Sequence, residues 1–160
     1  MIEKPDFSHL DEKGTARMVD VSQKTPSHRT ATATGTVRLS EALRQLVAEK
    51  ALPKGDVFTV AKVAGILAAK RCGELIPLCH PLPLTDIQVE LALTKTGVEI
   101  IATAACVGPT GVEMEALTAV SVAALTVYDM CKSADKGMVI EAVRLLTKTG
   151  GKSGAWHAEL

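Results

Sequence analysis

The stretch Arg29-Thr-Ala-Thr-Ala-Thr-Gly-Thr-Val-Arg-Leu39 alternates with a period of two. Thr30, Thr32, Thr34 and Thr36 point one way; Ala31, Ala33 and Val37 point the other. Successive side chains of a strand face opposite sides and β-branched residues suit the pleat, so this is a strand. Before it, residues 1–28 are polar and weakly periodic and read as an amino-terminal arm, leaving 29–160 as one domain. After it, Ser40 is placed to cap a short helix, Glu41 to Lys50, that stops before Pro53.

Pro53-Lys-Gly-Asp56 is a turn, with Asp56 at the cap position of a helix from Val57 to Gly73. Val57, Val60, Ala61, Ala64, Leu67 and Ala68 follow helical spacing along it. Three prolines within Pro77 to Pro83 exclude a regular helix there. A hairpin follows: Ile87, Val89, Leu91 and Leu93 alternate, Lys95-Thr-Gly97 turns, and Val98 to Val107 returns. Gly108-Pro-Thr-Gly111 opens a long helix over 112–133, and Met138 to Thr147 reads as a last strand before a Gly/Lys/Ser tail. The order β-α-β-β-α-β, with one extra short helix, predicts an α+β, ferredoxin-like sandwich: one antiparallel sheet with two helices on one face. Ala116 to Tyr128 is apolar nearly all round, which asks for more neighbours than a two-layer sandwich has and predicts oligomerisation.

At 160 residues the chain is one domain's worth, and 47% hydrophobic with a mean hydropathy of +0.21 excludes a disordered protein. Eighteen basic residues balance eighteen acidic ones. Nucleic acids and anionic membranes both select surplus positive charge, so neither is the expected partner. The four aromatics (Phe7, Phe58, Tyr128, Trp156) fall on none of the assigned strands, which argues against a base-stacking sheet. Met1-Ile-Glu-Lys-Pro-Asp6 is charged and leads into no apolar run, so no signal peptide is read, and Ala116–Tyr128 falls short of a membrane span. Cys72, Cys79, Cys106 and Cys131 form no CxxC pair, which suits reduced thiols in the cytoplasm.

Asp129 and Lys132 lie three apart on one helix face, where each supports the other's charged form. An ordinary surface ion pair explains that spacing, and so does a proton-transfer pair at the end of an apolar helix. Glu113 and Glu115 in the first helical turn complement the helix dipole or accept N–H donors from a guanine-like edge. His80 sits in a proline-stiffened loop beside Cys79, a spacing that does not suit zinc. Lys24, Arg29, Lys54, Lys148 and Lys152 recur near turns, in a pattern fitting a small polyanion. Gly151-Lys-Ser153 is similar to a phosphate loop but fails it, because Leu146 stands where a glycine is required and no helix follows. Its glycine-rich backbone can still offer N–H groups to phosphate.

Six segments carry a resemblance: Met18-Val-Asp-Val-Ser22, Lys54-Gly-Asp56, Ile76-Pro-Leu-Cys-His-Pro81, Thr110-Gly-Val-Glu-Met-Glu-Ala-Leu-Thr118, Tyr128-Asp-Met-Cys-Lys132 and Lys148-Thr-Gly-Gly-Lys-Ser-Gly154. Over about residues 7–155 the chain resembles the cyclic pyranopterin monophosphate synthases, the C proteins of early molybdenum-cofactor synthesis. The resemblance implies conversion of 3′,8-cyclo-7,8-dihydro-GTP, supplied by a radical-SAM enzyme, to cyclic pyranopterin monophosphate with release of pyrophosphate. It implies a homohexamer, a trimer of dimers, with the active site at the dimer interface. It makes Asp129 and Lys132 the catalytic pair and Lys54 a further acid/base candidate. Leu78, Cys79, His80, Met114 and Glu115, with Glu113 adjacent, become substrate-binding; Arg29, Lys148 and Lys24 hold the triphosphate. No cofactor is required for a reaction without redox change, and Mg²⁺ accompanying the triphosphate is compatible with it. A ferredoxin-like ligand-sensing module is the competing reading; it binds a nucleotide without converting it.

Overall fold

A computed structural model describes residues 13–152 and 154–159; the stretch 1–12, Phe7 within it, Ser153 and Leu160 lie outside them. The elements run β1 (Ser27–Arg38), α1 (Glu41–Ala48), α2 (Val57–Lys70), α3 (Cys72–Leu75), β2 (Leu84–Leu93), β3 (Gly97–Gly108), α4 (Glu113–Cys131), β4 (Val139–Thr149) and β5 (Trp156–His157). They build one antiparallel sheet in the order β2-β3-β1-β4-β5. Its first four strands have the expected α+β, ferredoxin-like arrangement.

The alternation in β1 sets the layers. Ala31, Ala33 and Val37 are fully buried beneath the helices, while the threonines face the opposite side and bond across strands. Thr32 Oγ1 meets Thr103 Oγ1 at 2.9 Å, and Thr30 Oγ1 meets Thr149 Oγ1 at 2.6 Å. Small inward residues let α4 lie close: a Cβ on Gly35 would come within 2.7 Å of Val120 Cγ1. Gly65 does the same between helices, since a Cβ there would stand 2.9 Å from the Ala119 carbonyl oxygen of α4.

Helix boundaries follow local chemistry. Asp56 Oδ1 accepts from the Phe58 and Thr59 N–H groups at 3.0 and 3.3 Å, capping α2. The helix expected to run to Gly73 stops at Lys70, because Arg71 takes a non-helical conformation (φ −107°, ψ 13°) and a separate turn, α3, follows. The break lets Gly73 approach the Pro81 backbone, where a Cβ would stand 3.1 Å away. The tail, to which the sequence reading assigned no element, adds β5, which places Trp156 opposite Lys148. One aromatic therefore does lie on a strand, contrary to the sequence reading, though a lone ring on a two-residue edge is no stacking platform.

α4 finds more cover than its sequence suggested. Ala116, Ala119, Val120, Ala123, Ala124 and Val127 are fully buried between the sheet and α2. At 19 residues α4 matches a membrane span by length and composition, yet 56% of that apolar window is buried within the fold, as in a core helix. Among the apolar residues left exposed are Leu125 on α4, at 58%, and Val60, Val63 and Leu67 on α2.

Candidate active site

The two ends of α4 carry two separate groups of candidate residues. At its amino-terminal end, the first turn presents Glu113, Met114 and Glu115 to a cavity of about 340 Å³. The proline loop supplies Leu78, Cys79 and His80 to the same cavity, and the arm supplies Lys24. The loop is held in place by Cys79 N–H donating to the Ile76 carbonyl at 3.0 Å and by His80 Nε2 lying 2.8 Å from the Val19 carbonyl oxygen. A carbonyl only accepts, so Nε2 carries a proton in that bond.

Glu115 is 3% exposed, and burial holds its carboxyl above the usual carboxylate range. Burial likewise pushes the Cys72 thiol up to about 12 and raises Cys79, so both remain thiols near neutral pH. All four cysteines are free. Cys79 thus contributes shape and a weak hydrogen-bonding group rather than a nucleophile.

Cations gather beside this cavity. Lys148 Nζ, on β4, lies 2.9 Å from Glu113 Oε1. A second cavity of about 730 Å³ shares Lys24 and Thr110 with the first and is also lined by Arg29, Gly151 and Lys152. Arg29 is braced by Nε donating to the Gly108 carbonyl at 3.2 Å and Nη2 donating to the Pro109 carbonyl at 3.3 Å. Gly150 and Gly151 take φ of +93° and +75°, a conformation that favours glycine. Side chains there would also collide with the His28 carbonyl and the Arg29 guanidinium.

The carboxyl-terminal end of α4 holds the other group. Asp129 Oδ1 meets Lys132 Nζ at 2.6 Å, and Lys54, from the α1–α2 turn, donates to the Asp129 backbone carbonyl at 2.9 Å. Lys54 Nζ also lies 3.4 Å from Asp129 Oδ2. One carboxylate between two ammonium groups leaves a net positive cluster at the negative end of a helix dipole. Hydrogen bonds from Lys132 and then Lys54 hold the Asp129 carboxyl below its usual range, and the bond to Asp129 raises Lys132. Lys132 is therefore charged at neutral pH.

Lys54, Asp129 and Lys132 thus come together, as do Leu78, Cys79, His80, Glu113, Met114, Glu115 and Lys24, with Lys148 and Arg29 alongside. The two groups do not meet within one chain. Met114 and Asp129 are separated by fifteen helical residues, about 22 Å at 1.5 Å each. Sequence reasoning passed over Val19 and Val21, which wall the smaller cavity from the arm, and Thr110 and Gly111 at its mouth. The valines' only signal was their place in the Met18–Ser22 segment.

A family model described as the MoaC family matches residues 18–151. A protein of Novosphingobium aromaticivorans named cyclic pyranopterin monophosphate synthase is 57% identical over 153 residues, 96% of this chain and 98% of its own length. Proteins of the same name from Thermomicrobium roseum and Parvibaculum lavamentivorans are each 56% identical, over 96% of this chain and 94% and 97% of theirs. With a family match across most of its length and relatives this similar from end to end, the chain belongs to the MoaC family.

Proposed function

We propose that the chain converts 3′,8-cyclo-7,8-dihydro-GTP to cyclic pyranopterin monophosphate and pyrophosphate, at a site that two copies of the chain complete together. Family membership makes it an enzyme, a lyase of molybdenum-cofactor synthesis. The observation that carries the reading further is the cluster of Lys54, Asp129 and Lys132. A rearrangement with several proton transfers needs donors and acceptors of this kind, each worth ~10²–10⁴-fold.

The purine-derived end of the substrate fits the smaller cavity, where Glu113 and Glu115 offer carboxyl oxygens and His80 offers Nδ1. Opening the five-membered ring requires a proton on a ring nitrogen and attack by water; reclosure as a pterin returns protons between nitrogen and carbon. That donation falls to Lys132, whose ammonium Asp129 holds in position. The cyclic phosphate forms when a ribose-derived hydroxyl attacks the α-phosphorus and loses its proton, while the bond to the pyrophosphate oxygen breaks. Arg29, Lys148 and Lys24 stabilise the negative charge that grows on that leaving group. None of these steps changes oxidation state, so they call for no redox cofactor; Mg²⁺ can enter with the triphosphate.

A proton passes between heavy atoms about 2.6–3.2 Å apart. The 22 Å between the halves of the site therefore calls for a second copy, whose α4 carboxyl-terminal end faces the first copy's cavity. Exposed Val60, Val63, Leu67 and Leu125 are apolar surface available for such an assembly, extending to the proposed hexamer.

The test is incubation of the purified chain with the cyclised nucleotide, detecting pterin product and pyrophosphate. Wild type is expected to form both, and Lys132→Ala to form neither while keeping its oligomeric state. Normal turnover by Lys132→Ala removes that residue from the chemistry. Binding without conversion by wild type overturns the reading.

A further inference from the structure

β4 carries Lys148 to Glu113 by way of two interruptions in its pairing with β1. Ile140 stands opposite inward-facing Val37, but between Glu141 and Arg144 one extra residue breaks the ladder, with Ala142 at φ +55°. Arg144 then stands opposite Thr34 and Leu145 opposite Ala33. A second extra residue, Leu146, follows before Thr147 meets Thr32 and Lys148 meets Ala31. Residues directly opposite each other share a face of the sheet. Ala31 is fully buried beneath the helices, so Lys148 stands on the helix face, 2.9 Å from Glu113 Oε1. Were the ladder to run on from Leu145 without the bulge, Lys148 would stand opposite Thr30, on the face away from Glu113.

Burial does little to hold this register, because every residue of β4 is exposed or half-buried. The support comes from the other edge. Trp156 and His157 pair with Lys148 and Thr147, and the Ala158 N–H donates to the carbonyl of Leu146, the bulge residue itself, at 2.8 Å. Without β5, the bulged strand would be the rim of the sheet with that carbonyl unpaired. We propose that β5 is a register clamp for the active site: Ala158, by bonding Leu146, holds the bulge that turns Lys148 toward Glu113. Leu146 and Ala158 are thereby positioning residues that act through Lys148. The inference rests on the proposed reaction for the task of Lys148, which is to stabilise charge on the leaving group; the register itself does not depend on that task.

Cross-linking of the full chain reads the register without any substrate. Thr30 Oγ1 lies 2.6 Å from Thr149 Oγ1 on the outer face, so Thr30→Cys with Thr149→Cys is expected to close a disulfide under mild oxidation. Adding Ala158→Pro, which removes the N–H, is expected to lower that yield severalfold and to let Thr30→Cys cross-link with Lys148→Cys instead. Deleting Leu146 is expected to produce the same exchange of partners. In the pterin assay Ala158→Pro is expected to lower kcat/KM about tenfold, the loss of one hydrogen bond to a charged group, and Ala158→Gly, which keeps the N–H, to retain most of it. In a Lys148→Ala background Ala158→Pro should cost nothing more, because the clamp acts through that side chain. An unchanged cross-linking pattern in Ala158→Pro overturns the clamp, whatever the activity. An equal loss of kcat/KM in the wild-type and Lys148→Ala backgrounds overturns its action through Lys148. A register that shifts as expected in a protein that never converts the nucleotide instead overturns the proposed reaction and leaves the clamp standing.

Discussion

Because the cavity and the lysine–aspartate cluster lie at opposite ends of α4, two inactive variants are expected to rescue each other. His80→Ala damages the cavity half, and Lys132→Ala damages the proton-carrying half. Lys132→Ala is expected to lose roughly 10²–10⁴-fold, the scale of an acid/base group, and His80→Ala to lose most turnover through weakened substrate binding, so either parent is nearly silent. When equal amounts are co-refolded into two-fold symmetric dimers, about half the dimers are mixed, and each mixed dimer has one intact site out of two. Activity should therefore return to about one quarter of the wild-type value. The reciprocal mixture sharpens the test. With wild type and a His80→Ala/Lys132→Ala double variant, shared sites leave about one quarter of the activity, and sites built within one chain leave about one half. The assay is pterin formation, with differently tagged chains recovered together to show that mixed oligomers formed. Mixed oligomers with no recovered activity refute the shared site, and with it the use of the 22 Å separation.

Further outcomes follow from packing and charge. Gly65→Ala gains about 1 kcal/mol of helix propensity, but its Cβ would stand 2.9 Å from the Ala119 carbonyl, and overpacking costs about 1–3 kcal/mol; thermal melting is expected to show net destabilisation. Lys50 takes φ +53° just after α1, where the Ala51 N–H bonds the Leu46 carbonyl at 3.0 Å in a helix-ending turn that favours glycine. Lys50→Gly is expected to stabilise by about 1 kcal/mol, raising Tm by roughly 2–4 °C. Glu115 has a raised folded-state pKa, so the native state binds its proton more tightly and stability falls as pH rises through that pKa. Glu115→Gln is therefore expected to melt higher than wild type at pH 8, by a margin that shrinks as pH falls toward 4; a constant margin contradicts the burial argument.

Much of the fold follows from short-range physics. The Thr/Ala alternation of β1, the caps at Ser40 and Asp56, and the alternating hairpin strands each depend on residues a few positions apart. The break at Arg71 was not legible, because its counterpart is the Pro81 backbone packed against Gly73. β5 was hidden for a similar reason: two residues carry no period, and only the neighbouring β4 makes them a strand. The uniformly apolar α4 was correctly read as a helix needing cover, but sequence could not show that small residues on β1 and α2 let it sink so far into the fold.

The candidate site divides along the same line. Spacing by itself placed Asp129 beside Lys132 and grouped Glu113, Met114 and Glu115, because a helix turn brings residues three and four apart together. Only the tertiary structure brings Lys54 across 75 residues to Asp129, sets Lys148 against Glu113, and places the valines of the arm over the cavity. It also decides that the two groups stand a helix length apart. Periodicity and capping are written into neighbouring residues, whereas contacts between distant segments exist only once the sheet has closed and its helices have packed.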